Sequence, residues 1–334
     1  MKNILVNLGL LSGTVFLFFA AAETGLRLAG RGPGLQPPPI YRPNTNPLIR
    51  YELQPGVRAR AFRSTVTTNS LGFRSPEPDP AKPMIAVLGD SMAFGYGVED
   101  DEAVTARMQA ILPEFTVQNT AVPGYHLGQE TEAFREKIIP LDPEILVVVF
   151  YFNDLDPGTA FLDADGILRA EDWTPGTPDC QRPTGGVFAR NPWHCGLLET
   201  SAFYKSFTRL ANTLYGRRTL RQERAESGKS PQAEHVSQEQ LDAYEHQLDV
   251  LMTLVPKDFP RLFVLWPDRF FHPEATPALV HMARERGFSV LNLYNYFGNE
   301  VPTLSWDTVH TSPAALARIA ELIVGQMKSD RVIP

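Results

Sequence analysis

The chain is poor in cysteine: Cys180 and Cys195 are the only two in 334 residues, so at most one intrachain disulfide can form. It also lacks an excess of positive charge. Its 31 Lys and Arg stand against 38 Asp and Glu, and the net charge of −7 leaves no basic footprint for a phosphate backbone. Nucleic acid is excluded as a partner on that ground. No internal repeat and no heptad run is present, which excludes solenoid and coiled-coil architectures. No set of His, Cys and carboxylate residues has zinc-like spacing, so the sequence implies neither a metal nor another cofactor.

One stretch lacks charge altogether. Asn3–Ala22 is twenty residues without Asp, Glu, Lys or Arg, about the length that a helix needs to cross the hydrocarbon core of a bilayer. Two readings lead, a signal anchor retained as a single transmembrane helix within residues 1–29 or a signal peptide cut after Ala20-Ala21-Ala22, with a buried soluble helix as the plainer third. The apolar run is longer than a signal peptide needs, which favours the anchor. Charge does not fix orientation, because Lys2 flanks one end and Glu23, Arg27 and Arg31 the other. Residues 30–50 are rich in Pro and Gly and read as a tether with some polyproline stiffness. Residues 51–83 form a β-prone lead-in that ends in the turn-like Asn69-Ser70-Leu71-Gly72-Phe73-Arg74. Arg74 reads as a surface ion pair or, less simply, as a contact for an anionic or sugar substrate.

What is present is organised around Met84–Val98, MIAVLGDSMAFGYGV. Five apolar residues stop at Gly89-Asp90-Ser91, the pattern of a strand buried on both faces that turns sharply into a loop. Open α/β sheets place their chemistry at that strand end. Ser91 would stand there with its hydroxyl in a crevice and its N–H at a helix start, as a candidate nucleophile or as a plain helix cap. Two further strands, Phe115–Asn119 and Ile145–Phe150, end likewise at Gly124 and Asn153. Parallel strand ends are neighbours, so the Ser91 and Gly124 N–H groups and the Asn153 side-chain amide form a candidate oxyanion hole. A turn glycine and an Asx cap are the simpler readings of Gly124 and Asn153.

Arg261–Trp266 and Phe288–Leu293 complete five strands, with helices at Ala103–Leu112, Glu130–Ile139, Ala275–Arg286 and Ala314–Met327. This interleaving predicts an α/β fold: a three-layer α/β/α sandwich around a five-stranded parallel sheet. Between the last strand and last helix lie Asp307 and His310. At this spacing the carboxylate can sit behind Nδ1–H and leave Nε2 facing Ser91, although a structural hydrogen bond would use the same pair. His126, near Gly124, is a candidate pocket residue.

Together these residues resemble the SGNH (GDSL) hydrolase superfamily: Gly89-Asp90-Ser91 in its first block, Asn119 to Gly124 in its second, Asn153-Asp154 in its third and Asp307-x-x-His310 in its last. The resemblance spans about residues 84–325 within a domain of 84–330. The anchor and the Asn-Ser-Leu-Gly-Phe-Arg lead-in resemble a membrane-tethered bacterial branch of that superfamily. It implies a metal-free serine esterase or acyltransferase in which Ser91 attacks an acyl carbon, His310 relays the proton beside Asp307, and Gly124 and Asn153 hold the oxyanion. Tyr151 replaces a glycine common in the third block and, with His126 and Asp154, would line the substrate pocket. An insertion at about 156–236 holds both cysteines, a candidate loop-closing disulfide Cys180–Cys195 in an oxidising compartment. Within it Ser201–Arg218 reads as an amphipathic helix that packs against the core or, less simply, serves as a lid or membrane-facing face, whereas Arg221–Glu239 reads as polar and mobile.

The leading expectation is an extracytoplasmic esterase that removes acyl groups, acetyl above all, from a cell-envelope or secreted glycan. It would sit as a single-pass protein of the inner membrane with its domain in the periplasm, or be secreted if the signal is cut. Two alternatives remain: a glycan O-acyltransferase using the same triad and an acyl-donating membrane partner, and a non-catalytic glycan-binding module. A metallohydrolase built on Asp90, Asp154, Asp307 and His310 is a remote fourth reading.

Overall fold

Five apolar runs line up side by side as one parallel sheet. In the computed structural model, which describes residues 2–34, 37–156, 158, 160–171, 173–174, 193–227 and 235–334, the strands are β1 (Met84–Leu88), β2 (Thr116–Asn119), β3 (Ile145–Phe150), β4 (Arg261–Leu265) and β5 (Ser289–Asn292). Their order across the sheet is β5-β4-β3-β1-β2. After β2 the chain returns to the other side of β1, so the direction of winding reverses between β1 and β3. Crevices open at the carboxyl ends of strands at such a reversal, and Ser91 and Asn153 follow the two strands that flank it.

The alternation of side chains along each strand builds two separate cores. Ile85 and Val87 of β1 and Ile145, Val147 and Val149 of β3 face one layer, where Val104 and Met108 of helix Val104–Ile111 and Leu316, Ile319 and Ile323 of helix Pro313–Ser329 cover them. Ala86 and Leu88 of β1 and Leu146, Val148 and Phe150 of β3 face the other. There they meet Leu127, Leu241, Tyr244 and Leu248, and Leu279 of helix Ala275–Glu285. A strand apolar at every position is explained by this double cover. The result is the three-layer α/β/α sandwich that the sequence predicts. Each fully buried aliphatic side chain contributes about 1.5–3 kcal/mol, so neither layer is dispensable.

Two compact units divide the chain: Met1–Pro37 with Asp172–Arg224, and Pro38–Glu171 with Ala225–Pro334, which holds the sheet. In the first, helix Lys2–Leu28 carries the uncharged stretch and is long and apolar enough to cross a membrane. Its companions are helices His194–Thr200 and Ala202–Ser227. Glu23 accepts from the Ala202 and Phe203 N–H groups and from the Ser201 hydroxyl, each at 2.9 Å, and so caps the longer helix. Arg27 donates to the Thr200 carbonyl at 2.7 Å.

Several boundaries differ from those expected. The tether is packed from Ile40 onward: Ile40 and Ile49 are fully buried, and Tyr41–Pro43 pairs with Tyr51–Leu53. Proline and glycine there shape turns between apolar anchors that the composition obscures. A second hairpin joins Arg58–Ala61 to Ser64–Thr67. Helix Leu127–Ala133 begins before the expected Glu130, because His126 Nδ1 accepts the Gly128 N–H at 3.1 Å and caps the end, and it continues into a π turn at Phe134–Ile138. The segment expected to be mobile is partly helical: Ala202–Ser227 extends through its start, and helix Gln238–Met252 opens at its end with a Ser237/Gln240 capping box. Cys180, half of the candidate disulfide, lies outside the described residues.

Candidate active site

The strand-to-helix turn after β1 is tight enough to require glycine. Gly89 has φ +152, and a Cβ there would come within 2.7 Å of the Ala93 Cβ and 3.1 Å of the Val149 Cβ. With no side chain at 89 the short helix Ser91–Phe94 folds directly back over the strand end. Ser91 is its first residue and is half-buried, and the Gly95 and Tyr96 N–H groups bond back to its carbonyl. Asn119, at the end of β2, secures this helix from beneath by donating to the Ala93 and Phe94 carbonyls and the Thr105 hydroxyl.

His310 reaches the same point from the loop before the last helix. Its Nε2 lies 3.0 Å from Ser91 Oγ, and its Nδ1 lies 2.9 Å from Asp307 Oδ2. Asp307 Oδ1 meanwhile accepts the Val309 and His310 N–H groups at 2.7 and 2.9 Å, so one carboxylate holds both the loop and the ring. Trp266 Nε1, at the end of β4, donates to the Thr311 hydroxyl at 3.1 Å, and Leu304 N–H donates to the His310 carbonyl at 2.9 Å. Burial alone would raise the Asp307 pKa, but the bond and charge of His310 and the two backbone donors outweigh it and leave the group below its ordinary value. An ionised Asp307 favours the tautomer with the proton on Nδ1. That leaves Nε2 as the acceptor for the Ser91 proton.

Asp90 joins the serine to the third strand end. It is buried, and its Oδ2 accepts from Asn153 Nδ2 at 3.0 Å and from Ser91 Oγ at 3.2 Å, while Oδ1 accepts the Met92 N–H at 2.9 Å. Burial pushes its pKa up, and the Met92, Asn153 and Ser91 donors and the charge of His310 oppose that rise. One Asn153 amide hydrogen is thus committed to Asp90 and the other stays available at an exposed position. Gly124 is exposed at the end of β2. Its turn is tied to β1 by Val122 N–H donating to the Gly89 carbonyl at 3.2 Å. Gly124 has φ +84, and a Cβ would meet the Tyr51 hydroxyl at 2.9 Å. Asp90 therefore links Ser91 to Asn153, and the turn that carries Gly124 is tied to the strand end just before Ser91.

Three contributors were not legible as site residues. Tyr96 lies flat on the His310 imidazole, with ring centroids 3.9 Å apart and planes inclined by 20°. Phe62 stacks on Tyr96 at 4.2 Å, and the Arg63 guanidinium sits 4.6 Å over the Trp306 ring. Phe62 and Arg63 form the tip of the Arg58–Ala61/Ser64–Thr67 hairpin, and both have positive φ, 53 and 70. Such backbone is costly without glycine and persists where contacts hold it in place. The available signal was Tyr96 between two glycines beside the serine.

The expected pocket residues do not form one group. Tyr151 donates to Asp268 Oδ1 at 3.3 Å, and burial, then Asp268, pushes its pKa up. Asp154 is buried beneath the strand end and accepts the Tyr151 N–H at 3.3 Å, so it lines no open pocket. The expectation that it lines the pocket fails because the turn of helix Phe152–Leu155 buries it. Burial foremost raises its pKa and that of Glu130. His126 serves as a helix cap, and burial, then Arg50, lowers its pKa. Arg74 does form an ion pair, with the half-exposed Asp100 at 3.1 Å, but its guanidinium is buried rather than at the surface and also donates to the Phe94, Gly95, Val98 and Thr65 carbonyls. Among the described residues no group of three or more His, Cys, Asp or Glu side chains is placed to hold a metal ion.

No family model and no curated protein matches the chain. Solved structures of similar fold include TesA (12% identity, TM-score 0.43, covering 75% of this chain and 99% of that one). Another is a putative lipolytic protein of the G-D-S-L family from Desulfitobacterium hafniense (10%, 0.41, 75% and 100%). A third is an acetyl xylan esterase from Geobacillus stearothermophilus (14%, 0.39, 75% and 97%).

Proposed function

We propose that the chain is a membrane-anchored serine esterase that removes small acyl groups, acetyl first among them, from a glycan outside the cytoplasm. The observation that carries this reading is the continuous hydrogen-bond line from Ser91 Oγ through His310 Nε2 at 3.0 Å and Nδ1 to Asp307 Oδ2 at 2.9 Å. Ser91 Oγ attacks the ester carbonyl carbon as its proton passes to Nε2, and the carbonyl π pair moves onto oxygen. The Ser91 and Gly124 N–H groups and the free Asn153 amide hydrogen receive that oxyanion. As the C–O bond to the sugar breaks, imidazolium returns the proton to the departing oxygen, and water resolves the acyl-serine by the same path in reverse. Asp307, ionised, stabilises the imidazolium formed in both halves.

The anchor is assigned to helix Lys2–Leu28, which passes without a break through the Ala20-Ala21-Ala22 cleavage candidate. Phe19 packs edge-on against Phe203 at 5.0 Å, a contact supporting retention over cleavage. A glycan of the cell envelope is the substrate class that such tethering suits.

The test is turnover of p-nitrophenyl acetate and of acetylated glycans by the full chain in detergent, with and without a chelator, beside Ser91→Ala. Turnover that survives the chelator and disappears with Ser91→Ala is expected. Turnover unchanged in Ser91→Ala overturns the serine mechanism, and acyl transfer seen only when a sugar acceptor is added replaces hydrolysis with transfer.

A further inference from the structure

We infer that helix Ala202–Ser227 lies in the surface of the lipid bilayer, its apolar stripe among the acyl chains and its basic residues at anionic headgroups. This inference rests on the reading of helix Lys2–Leu28 as a retained membrane span. Its first support is height. Asn3–Ala22 at 1.5 Å per residue is about 30 Å long, one hydrocarbon thickness, so Glu23 marks where the chain leaves the acyl region. Glu23 is also the residue that caps Ala202–Ser227, accepting from Ala202 and Phe203 N–H at 2.9 Å. The start of the second helix is thereby fixed at the level of the interface. Arg27 on Thr200, and Lys205 on the Gly32 carbonyl at 2.8 Å, hold the same junction.

The second support is the stripe itself. Phe203, Phe207, Leu210 and Leu214 follow one another at intervals of four, three and four residues and so share one helix face. Leu210 and Leu214 are each 59% exposed, and Asn212 on the opposite side is exposed as well, whereas Thr208, nearer the start and beside the stripe, is 3% exposed. From Arg209 onward the helix leaves its apolar stripe as open as its polar face, which water alone would not select. The stripe is continuous with the span: Phe19 packs against Phe203, and Phe203 stacks on Phe207 with planes inclined by 6°. Arg209 and Arg218 are exposed, and Arg218 flanks the stripe near Leu214 on the side where Tyr215 is 53% exposed. Long basic side chains and a tyrosine beside an apolar face suit the headgroup layer, where stems lie along acyl chains and charges reach phosphates. The helix is too polar to be a second span, and it does not qualify by length and composition as one.

Photo-crosslinking of the full chain in phosphatidylethanolamine and phosphatidylglycerol nanodiscs tests this. p-Benzoylphenylalanine is incorporated in place of Leu210 or Leu214, in place of Phe16 within the span as a reference, and in place of Asn212 on the far face as a control. Lipid adducts at 210 and 214 should approach the yield at 16 and exceed that at 212 about fivefold or more, because the far face lies about 10 Å away across the helix. Adducts at 16 with none at 210 and 214, or with protein instead of lipid there, overturn the interfacial helix and leave the anchor standing. Equal yields at 210, 212 and 214 overturn the stripe. No lipid adduct at 16 overturns the anchor and this inference with it.

Discussion

Replacing Asp90 by asparagine tests whether Asn153, the proposed oxyanion donor, is held by the residue before the serine. Asp90 accepts from three donors, Met92 N–H at 2.9 Å, Asn153 Nδ2 at 3.0 Å and Ser91 Oγ at 3.2 Å. Asparagine has the same shape and keeps one oxygen for the Met92 N–H, so the helix cap survives. Its NH₂ then faces two donors. Ser91 can give its proton wholly to His310, but two amide NH₂ groups cannot bond each other, and Asn153 must turn its carbonyl toward residue 90. That rotation withdraws or misaims the remaining N–H from the oxyanion position. Loss of one such donor costs about 100- to 1000-fold in kcat, about 2.7–4 kcal/mol, with little change in KM. The assay is ester turnover together with thermal unfolding, to separate misaiming from misfolding. Asn153→Ala should lose a similar factor, and the double variant should be no worse than the poorer single one, since both act through one bond. A kcat within about threefold of the parent, or fully additive losses in the double variant, would refute the reasoning.

Three further outcomes are expected. Tyr96→Leu removes the ring that faces the imidazole at 3.9 Å and so weakens the imidazolium formed at the transition state; kcat should fall about fivefold, for about 1 kcal/mol, while Tyr96→Phe stays near the parent in a Michaelis analysis. Arg74→Met strands buried carbonyls of residues 94, 95 and 98 and should lower stability by about 3–5 kcal/mol; at about 2–4 °C per kcal/mol, an unchanged melting temperature in a thermal scan argues against that role. Glu130 and Asp154 hold their protons more tightly folded than unfolded, because burial and neighbouring carboxylates raise both pKa values. Their contribution is present in acid and lost as pH rises above the unfolded value of about 4. Glu130→Gln should therefore raise the melting temperature at about pH 8 and hardly at about pH 4, and an equal shift at both would count against it.

The sheet was legible because strands buried on both faces are apolar at every position, and β3, Ile145–Phe150, matches its predicted bounds residue for residue. The meeting of Ser91, Asp307 and His310 was legible as well, since each sits at a strand end or loop whose place follows from that sheet. Contacts made across long separations were hidden. Arg74 reads as a surface charge, yet it is buried and donates to five acceptors supplied by residue 65 and segment 94–100. Asp154 carries its motif's polar character but turns inward on a short helix. Helix Gln238–Met252 was missed although Ser237 and Gln240 spell out its cap, because the polar run before it masked the onset of the apolar period.

The hairpin tip at Phe62 and Arg63 has a practical consequence for how this protein is cut. A fragment trimmed to open at Met84 would retain Ser91, Asn153, Asp307 and His310 and still be incomplete. Tyr96 would lose the phenyl ring behind it, Trp306 its guanidinium neighbour, and Gly124 the tyrosine hydroxyl at its back. Expression boundaries for this protein belong ahead of Ile40, well upstream of Gly89-Asp90-Ser91.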